Sequence, residues 1–258
     1  MELGGRVALV TGGGRGIGQA VSKKLASLGA DVVVSARTRT EIEAVAAEVR
    51  AQGRRAQAIV ADVGERSECE TLFRETVDRM GRVDILVNNA GAHHVAPVDV
   101  ETDEGWHRVM AVNLHSAFYL MRVTLPAMRE RQWGRIINVG STSSLKGTAR
   151  EPAYTASKHA LLGLTRAVAI DAAPHNVTVN AVCPWYVDTA MARAIVGMEA
   201  DSQGEPMQSV WKRLEATNPQ GRMITPDEVA DLVAFLCTSG ARPITGQAVV
   251  VASGYFTF

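Results

Sequence analysis

Residues Arg6 to Thr11 (RVALVT) form an apolar run long enough for one buried strand, and they open directly into Gly12-Gly13-Gly14-Arg15-Gly16-Ile17-Gly18. Beyond the glycines, Ile17, Val21, Leu25 and Leu28 recur at helical spacing. Glycines at such a junction let the backbone approach a pyrophosphate. The helix N-terminus that follows offers N–H groups and the positive end of a dipole. Without the flanking strand and helix the run would be an ordinary flexible turn; with them it predicts dinucleotide binding.

Strand-like and helix-like segments then alternate. Asp31–Ala36, Ala56–Ala61, Asp84–Asn88, Arg135–Val139, Val177–Val182 and Gln247–Val251 read as further strands. Helices are expected between them, among them a long one over Asp103–Arg131 bent near Pro126, one over Pro152–Ala173, and one opened by Pro226 and closing at Cys237. The alternation predicts an α/β chain: a single doubly wound parallel sheet of about seven strands, Rossmann-like, with helices on both faces. No linker or repeat divides residues 1–258, so one nucleotide-binding and catalytic domain is expected. Residues 184–221 read as irregular, with Met191, Met198, Met207 and Trp211 among small and polar residues. They follow the C-terminal end of a strand, where ligands bind in such sheets, which suggests a substrate lid.

Lysine plus arginine (27) equals aspartate plus glutamate (27), and no basic excess points to nucleic acid or an anionic membrane. Cys69, Cys183 and Cys237 are scattered, without metal-ligand spacing, and suit a reducing compartment; no metal site is expected. The N-terminus lacks the pattern of a signal peptide, and no apolar stretch approaches the ~20 residues of a membrane span. A cytoplasmic, soluble protein is expected.

Tyr154 and Lys158 stand four residues apart on an expected helix, hence on one face one turn apart, and Ser141 lies upstream. A free phenol titrates near ~10. A cation about 4 Å away at an effective dielectric of about 20 would favour the phenolate by roughly 4 kcal/mol, at most about three pKa units. The phenol would then be poised for acid–base work near neutrality.

Together these residues resemble the short-chain dehydrogenase/reductase family along nearly the whole chain, including members that act as 3-oxoacyl reductases. The glycine spacing Gly12-xxx-Gly16-x-Gly18 resembles that family's dinucleotide loop, and Asn88-Asn89-Ala90-Gly91 its NNAG element. Asn113, Ser141, Tyr154 and Lys158 fall at its catalytic positions. The resemblance implies hydride transfer between nicotinamide and a carbonyl carbon, with Tyr154 delivering the proton and Ser141 hydrogen-bonding the substrate oxygen. Lys158 would hold the nicotinamide ribose and depress the tyrosine pKa, and Asn113 would help hold a water chain that reprotonates the site. It further implies cofactor contacts at Gly12, Gly14, Arg15, Gly16, Ile17 and Gly18. Asp62, Val63, Asn89, Ala90 and Gly91 would add others, as would Tyr154, Lys158, Pro184, Val187 and Thr189. Homotetramers or homodimers are the family's expected assemblies.

Ala36 stands where an NAD enzyme would carry an acid for the ribose 2′-OH, and Arg37 follows it, with Arg15 near in the glycine loop. Two arginines and no acid favour NADP(H) over NAD(H). Asp62 resembles an adenine-contacting aspartate, and a strand-end cap is a compatible reading. The chain departs from the family at Pro184-Trp185, where glycine usually follows proline; Trp185 either walls the substrate pocket or packs into the lid. His93, Trp185 and Met191 are candidate substrate contacts. For His93 and His94 a solvated loop pair is the favoured reading, since neither has an evident orienting partner in the sequence. Carrier-protein reductases of the family tend to carry arginines where this chain has Gln132 and His175, which weakens a carrier-protein reading. The expected activity is an NADP(H)-dependent reductase of a small or medium ketone, a 3-oxoacyl thioester included. The alternatives are an NAD-dependent secondary alcohol dehydrogenase working oxidatively and a nucleotide-binding regulatory protein without turnover.

Overall fold

Strand β1 (Val7–Thr11) is buried along its whole length, and its side chains divide by parity between two cores. Ala8 and Val10 pack into one, Val7 and Leu9 into the other. In β2 (Asp31–Ala36), Val32 and Val34 oppose Val33; in β4 (Ile85–Asn88), Ile85 and Val87 oppose Leu86. Successive side chains of a strand point to opposite faces, so strands with apolar side chains on both faces need cover on both sides. Helices supply it. Helices α1 (Gly16–Ser27), α2 (Arg39–Ala51) and α9 (Pro226–Cys237) close one core with Val21, Leu25, Ile42, Val49, Val229 and Val233. On the other face lie α3 (Arg66–Met80), α5 (Ser116–Glu130) and α6 (Pro152–Ala172), contributing Leu72, Met80, Leu120, Met128 and Leu161.

The computed structural model describes residues 2–256. Within them, β3 (Ala56–Val60), β5 (Gly134–Val139), β6 (Val177–Pro184) and β7 (Ala248–Val251) complete a seven-stranded sheet of order β3-β2-β1-β4-β5-β6-β7, parallel throughout. The chain winds outward from β1 to β3, returns beside β1 as β4, and winds outward again to β7. The reversal between β1 and β4 opens a crevice at the strands' C-terminal ends, the place where such sheets bind ligands. This is the doubly wound, Rossmann-like fold that the alternation predicts.

The helix expected over Asp103–Arg131 runs from Asp103 to Glu130, with Pro126 inside α5 and one wide turn within it. Between α4 (Asp103–Met110) and α5, residues Ala111–His115 form a π-helical turn. Asn113 sits in that wide turn, its Nδ2 donating to Ala92 O (3.0 Å) and its Oδ1 accepting from Ala92 N (2.8 Å).

The segment expected to be irregular is helical: α7 (Ala190–Gln203) and α8 (Met207–Thr217). Thr189 caps α7 by accepting from Ala192 N, and Gly204, at φ 65°, ends it in the left-handed region. Val196, Ala200 and Val210 form a small core of their own with Trp211 and Leu214. Both ends of the segment are tied together, because Tyr186 O accepts from Ile224 N (3.1 Å) and Ile224 O from Asp188 N (2.9 Å).

Candidate active site

The crevice is a cavity of about 940 Å³. At its nucleotide end Gly12, Gly14, Arg15, Gly16 and Ile17 form the wall, with Gly18 behind them. A Cβ on Gly12 would stand 2.9 Å from Ala90 Cα, and one on Gly18 would collide with the Gly12 carbonyl, so the loop can fold this tightly only with glycine at both positions. Asn89 braces it, its Nδ2 donating to Thr11 O (2.9 Å) and Gly12 O (3.1 Å), while Ala90 and Gly91 join the wall. Helix α1 begins here with no side chain capping its first turn, which leaves its N–H groups for a ligand. A pyrophosphate fits this cradle in charge and in shape.

Beyond β2 the wall continues through Ala36 and Arg37. Arg15 Nη1 lies 3.8 Å from Glu41 Oε1, an acid that the reading of the strand end did not count. Among the described residues no carboxylate lies within 4.0 Å of Arg37, so its charge is the less committed of the two. Asp62 accepts from Arg108 Nη2 through both oxygens (3.0 and 2.9 Å) and from Gly64 N (2.9 Å). Burial works to raise its carboxyl, but these partners, with Arg37 acting at longer range, hold it below its ordinary value. Asp62 is thus a strand-end cap on the cavity wall beside Val63, and Arg108 is a site residue that the sequence reading missed.

Pro152 opens α6 and places Tyr154 and Lys158 within its first two turns, both on the cavity wall. Ser141 follows β5 and caps a short 3₁₀ turn, its Oγ accepting from Ser143 N (3.1 Å) while Ser144 Oγ accepts from Ser141 N (3.2 Å). Ser144 therefore satisfies loop backbone. Burial pushes the Tyr154 phenol well above its ordinary range, a hydrogen bond with Ser141 working the other way. Lys158 is not the group that governs the phenol here. Its Nζ donates to Val139 O (2.7 Å) and lies 5.5 Å from the Tyr154 ring centroid; burial lowers Lys158 to about 8. Among the protein's own groups the tyrosine is thus shifted upward and not downward as expected, with desolvation the largest cause and Lys158, held by a backbone carbonyl, not among the charges that act on it.

Asn113 is not on the wall. It is 2% exposed behind it, with a further Nδ2 bond to Ser157 Oγ (3.0 Å), so both its amide hydrogens are spent on protein. His93 is also misjudged as solvated: its side chain is 8% exposed, Nε2 is 3.2 Å from Glu151 Oε2, and its ring lies 4.6 Å from that of Tyr154. His94 likewise has a partner, with Nδ1 2.6 Å from Glu101. Trp185 combines both readings, lining the cavity while packed in the core against Tyr186 and Tyr255. Pro184, Val187, Thr189 and Met191 line the same wall. Lys146 and Tyr255 do too, and sequence reasoning did not place them there. Tyr255 and Phe256 thus pack on their own chain, while Thr257 and Phe258 lie outside the described residues.

Among the described residues no cluster of three or more His, Cys, Asp or Glu could hold a metal ion, and no helix is long and apolar enough to cross a membrane. The three cysteines are buried and unpaired.

A family model described as short chain dehydrogenase matches residues 6–200. The D-beta-hydroxybutyrate dehydrogenase of Cupriavidus necator is 39% identical over 95% of both chains. The 3-oxoacyl-(acyl-carrier-protein) reductase of Pseudomonas aeruginosa is 35% identical over 99% of both. Among solved structures, that of a point variant of the actinorhodin polyketide ketoreductase with NADPH superposes with a TM-score of 0.94, at 37% identity over 98% of each chain.

Proposed function

This chain belongs to the short-chain dehydrogenase family, oxidoreductases of CH–OH and C=O groups that use a nicotinamide nucleotide, and on that premise we propose an NADP(H)-dependent enzyme interconverting a ketone and a secondary alcohol. The observation that carries this reading is a single cavity with Ser141, Tyr154 and Lys158 on its wall beyond β5 and the uncommitted Arg37 on its wall beyond β2.

When bound, the nicotinamide supplies or takes up the hydride. Tyr154 gives its phenolic proton to the carbonyl oxygen in reduction and recovers it in oxidation. Ser141 donates to the same oxygen, where negative charge develops. Lys158, anchored by one bond to Val139 O, keeps two donors for ribose hydroxyls. Asn113 fixes the loop at Ala92 and has one Oδ1 lone pair left to anchor the water that reprotonates the site. Arg37 pairs with the 2′-phosphate, and the backbone cradle from Gly12 to Gly18 takes the pyrophosphate.

The substrate is a small or medium ketone, a 3-oxoacyl thioester included, and the segment 184–221 closes over it. A carrier protein is the weaker source of that thioester, because Gln132 and His175 hydrogen-bond each other (3.0 Å) at the surface where related enzymes carry arginines. The protein works as a cytoplasmic homotetramer or homodimer. The likeness to a hydroxybutyrate dehydrogenase favours a second reading, NAD-dependent oxidation of a secondary alcohol.

Assays of ketones and alcohols with NADPH, NADH and their oxidised forms test this, with Tyr154→Phe as control. Expected is a preference for NADPH of at least about tenfold in kcat/KM, and a loss of ~10²–10⁴ in rate in the variant with NADPH binding retained. A variant that keeps half the wild-type rate removes Tyr154 from the chemistry; a preference for the NAD pair moves the assignment to the second reading.

A further inference from the structure

Lys146 and Tyr255, 109 residues apart, meet on the cavity wall, with Nζ donating to the phenolic oxygen at 2.9 Å. The ammonium lies 4.3 Å from the Tyr255 ring centroid and 5.8 Å from that of Phe256. Trp185 backs the arrangement, its ring 5.0 Å from that of Tyr255. Aromatic faces and a phenol oxygen steady a cation without cancelling its charge. The acids on the same wall are engaged elsewhere: Glu151 with His93, Asp62 with Arg108, and Glu41 facing Arg15. Among the described residues none comes within 4.0 Å of Lys146 Nζ.

An ammonium has three donors and Tyr255 takes one, which leaves two for a ligand. The Tyr255 hydroxyl accepts from Lys146, so its own proton is also unspent on that bond. Met191, Ile195, Met198 and Leu214 line the same cavity and offer apolar surface to the rest of a ligand. A lysine stem already held against rings loses little further freedom when it binds.

We infer that Lys146 and Tyr255 form an anion subsite, so that the ketone reduced at Tyr154 carries an anionic group bound by the ammonium and the phenol. The inference rests on the carbonyl chemistry proposed above and adds the class of substrate. The anionic group is either the carboxylate of an oxo acid or the phosphate of a phosphopantetheine thioester arm; both offer oxygens to the same donors.

The test measures kcat/KM with NADPH for a 3-oxo acid, its methyl ester and its coenzyme A thioester, in wild type, Lys146→Met, Lys146→Arg and Tyr255→Phe. Expected is a wild-type preference for one anionic substrate over the ester, the acid naming a carboxylate and the thioester a phosphate. In Lys146→Met that ratio falls ~10- to 100-fold, through KM. It falls less in Tyr255→Phe and is largely kept in Lys146→Arg. Equal losses for all three substrates would make Lys146 a fastener of the tail and overturn the inference, as would a wild-type preference for the ester. Absence of turnover with every substrate would count against the carbonyl reading alone. Quenching of tryptophan fluorescence by the oxo acid then decides: quenching lost only in Lys146→Met supports the subsite, and equal quenching overturns it.

Discussion

The imidazole of His93 rests on the ring of Tyr154, centroids 4.6 Å apart, and its Nε2 is 3.2 Å from Glu151, the N-cap residue of α6. Glu151 thus sets a negative charge near the phenol, and that charge adds to burial in pushing the Tyr154 hydroxyl upward. Glu151→Gln removes the charge and keeps the shape. A carboxylate that disfavoured the phenolate is gone, so the phenol's pKa falls. The kcat–pH limb belonging to Tyr154 is expected to move to lower pH with little change in Tm. A limb that stays in place or moves upward breaks this electrostatic link.

Arg37 supplies the next expectation. Replacing it with alanine removes a charge-assisted partner worth ~1.5–3 kcal/mol. NADPH should bind about one to two orders of magnitude more weakly, with NADH nearly unaffected. Titration of nucleotide fluorescence with both cofactors checks it, and equal weakening of the two makes Arg37 structural.

Lys158 connects stability to pH. Burial lowers it from 10.5 to about 8, so between those values the folded protein binds fewer protons than the unfolded chain. Stability therefore rises with pH through that window, and below pH 8 the folded state carries the full cost of a buried ammonium. Lys158→Met lifts a penalty on the order of 3 kcal/mol but strands Val139 O, a cost of about 1–3 kcal/mol. The robust expectation is a slope: Tm of the variant minus that of the wild type declines from pH 8 to 10.5. A flat difference would mean that Lys158 keeps its ordinary affinity for protons.

Trp185 is 5% exposed and belongs to both the cavity wall and a core. Trp185→Ala should cost about 3–5 kcal/mol, a fall in Tm on the order of 10 °C. Space opened beside the substrate should raise kcat/KM for a bulky ketone relative to a small one. Calorimetry and two-substrate kinetics measure both; lost stability with an unchanged ratio confines Trp185 to packing.

The legible parts of this molecule were those written in short-range spacing. Gly12 to Gly18 and the four-residue step from Tyr154 to Lys158 lie on single elements, where periodicity fixes geometry. Contacts made across the fold were not legible. Arg108 reaches the loop residue Asp62 from helix α4, and Tyr255 returns to Lys146 from far along the chain. Glu151 was no visible partner for His93 because the two stand on different loops. Helix α7 was hidden for a different reason: Ala190, Ala192, Ala194 and Gly197 dilute the apolar periodicity by which a helix is recognised. The charge of Lys158 was legible, but its hydrogen bond to Val139 O and the desolvation of Tyr154 depend on depth, which spacing does not encode.

The wide turn at Ala111–His115 acts as a phase shifter in a rod. One residue on an α-helix advances the azimuth by roughly 100°, so an extra residue in that turn offsets α4 against α5 without breaking the run. Arg108, ahead of the offset, points to Asp62, while Leu120 and Met128, beyond it, point into the core. Deleting one residue from the turn would turn one half of the rod against the other. Arg108 and Leu120 could not then both keep their present directions, so the length of this turn is as constrained as any side chain it carries.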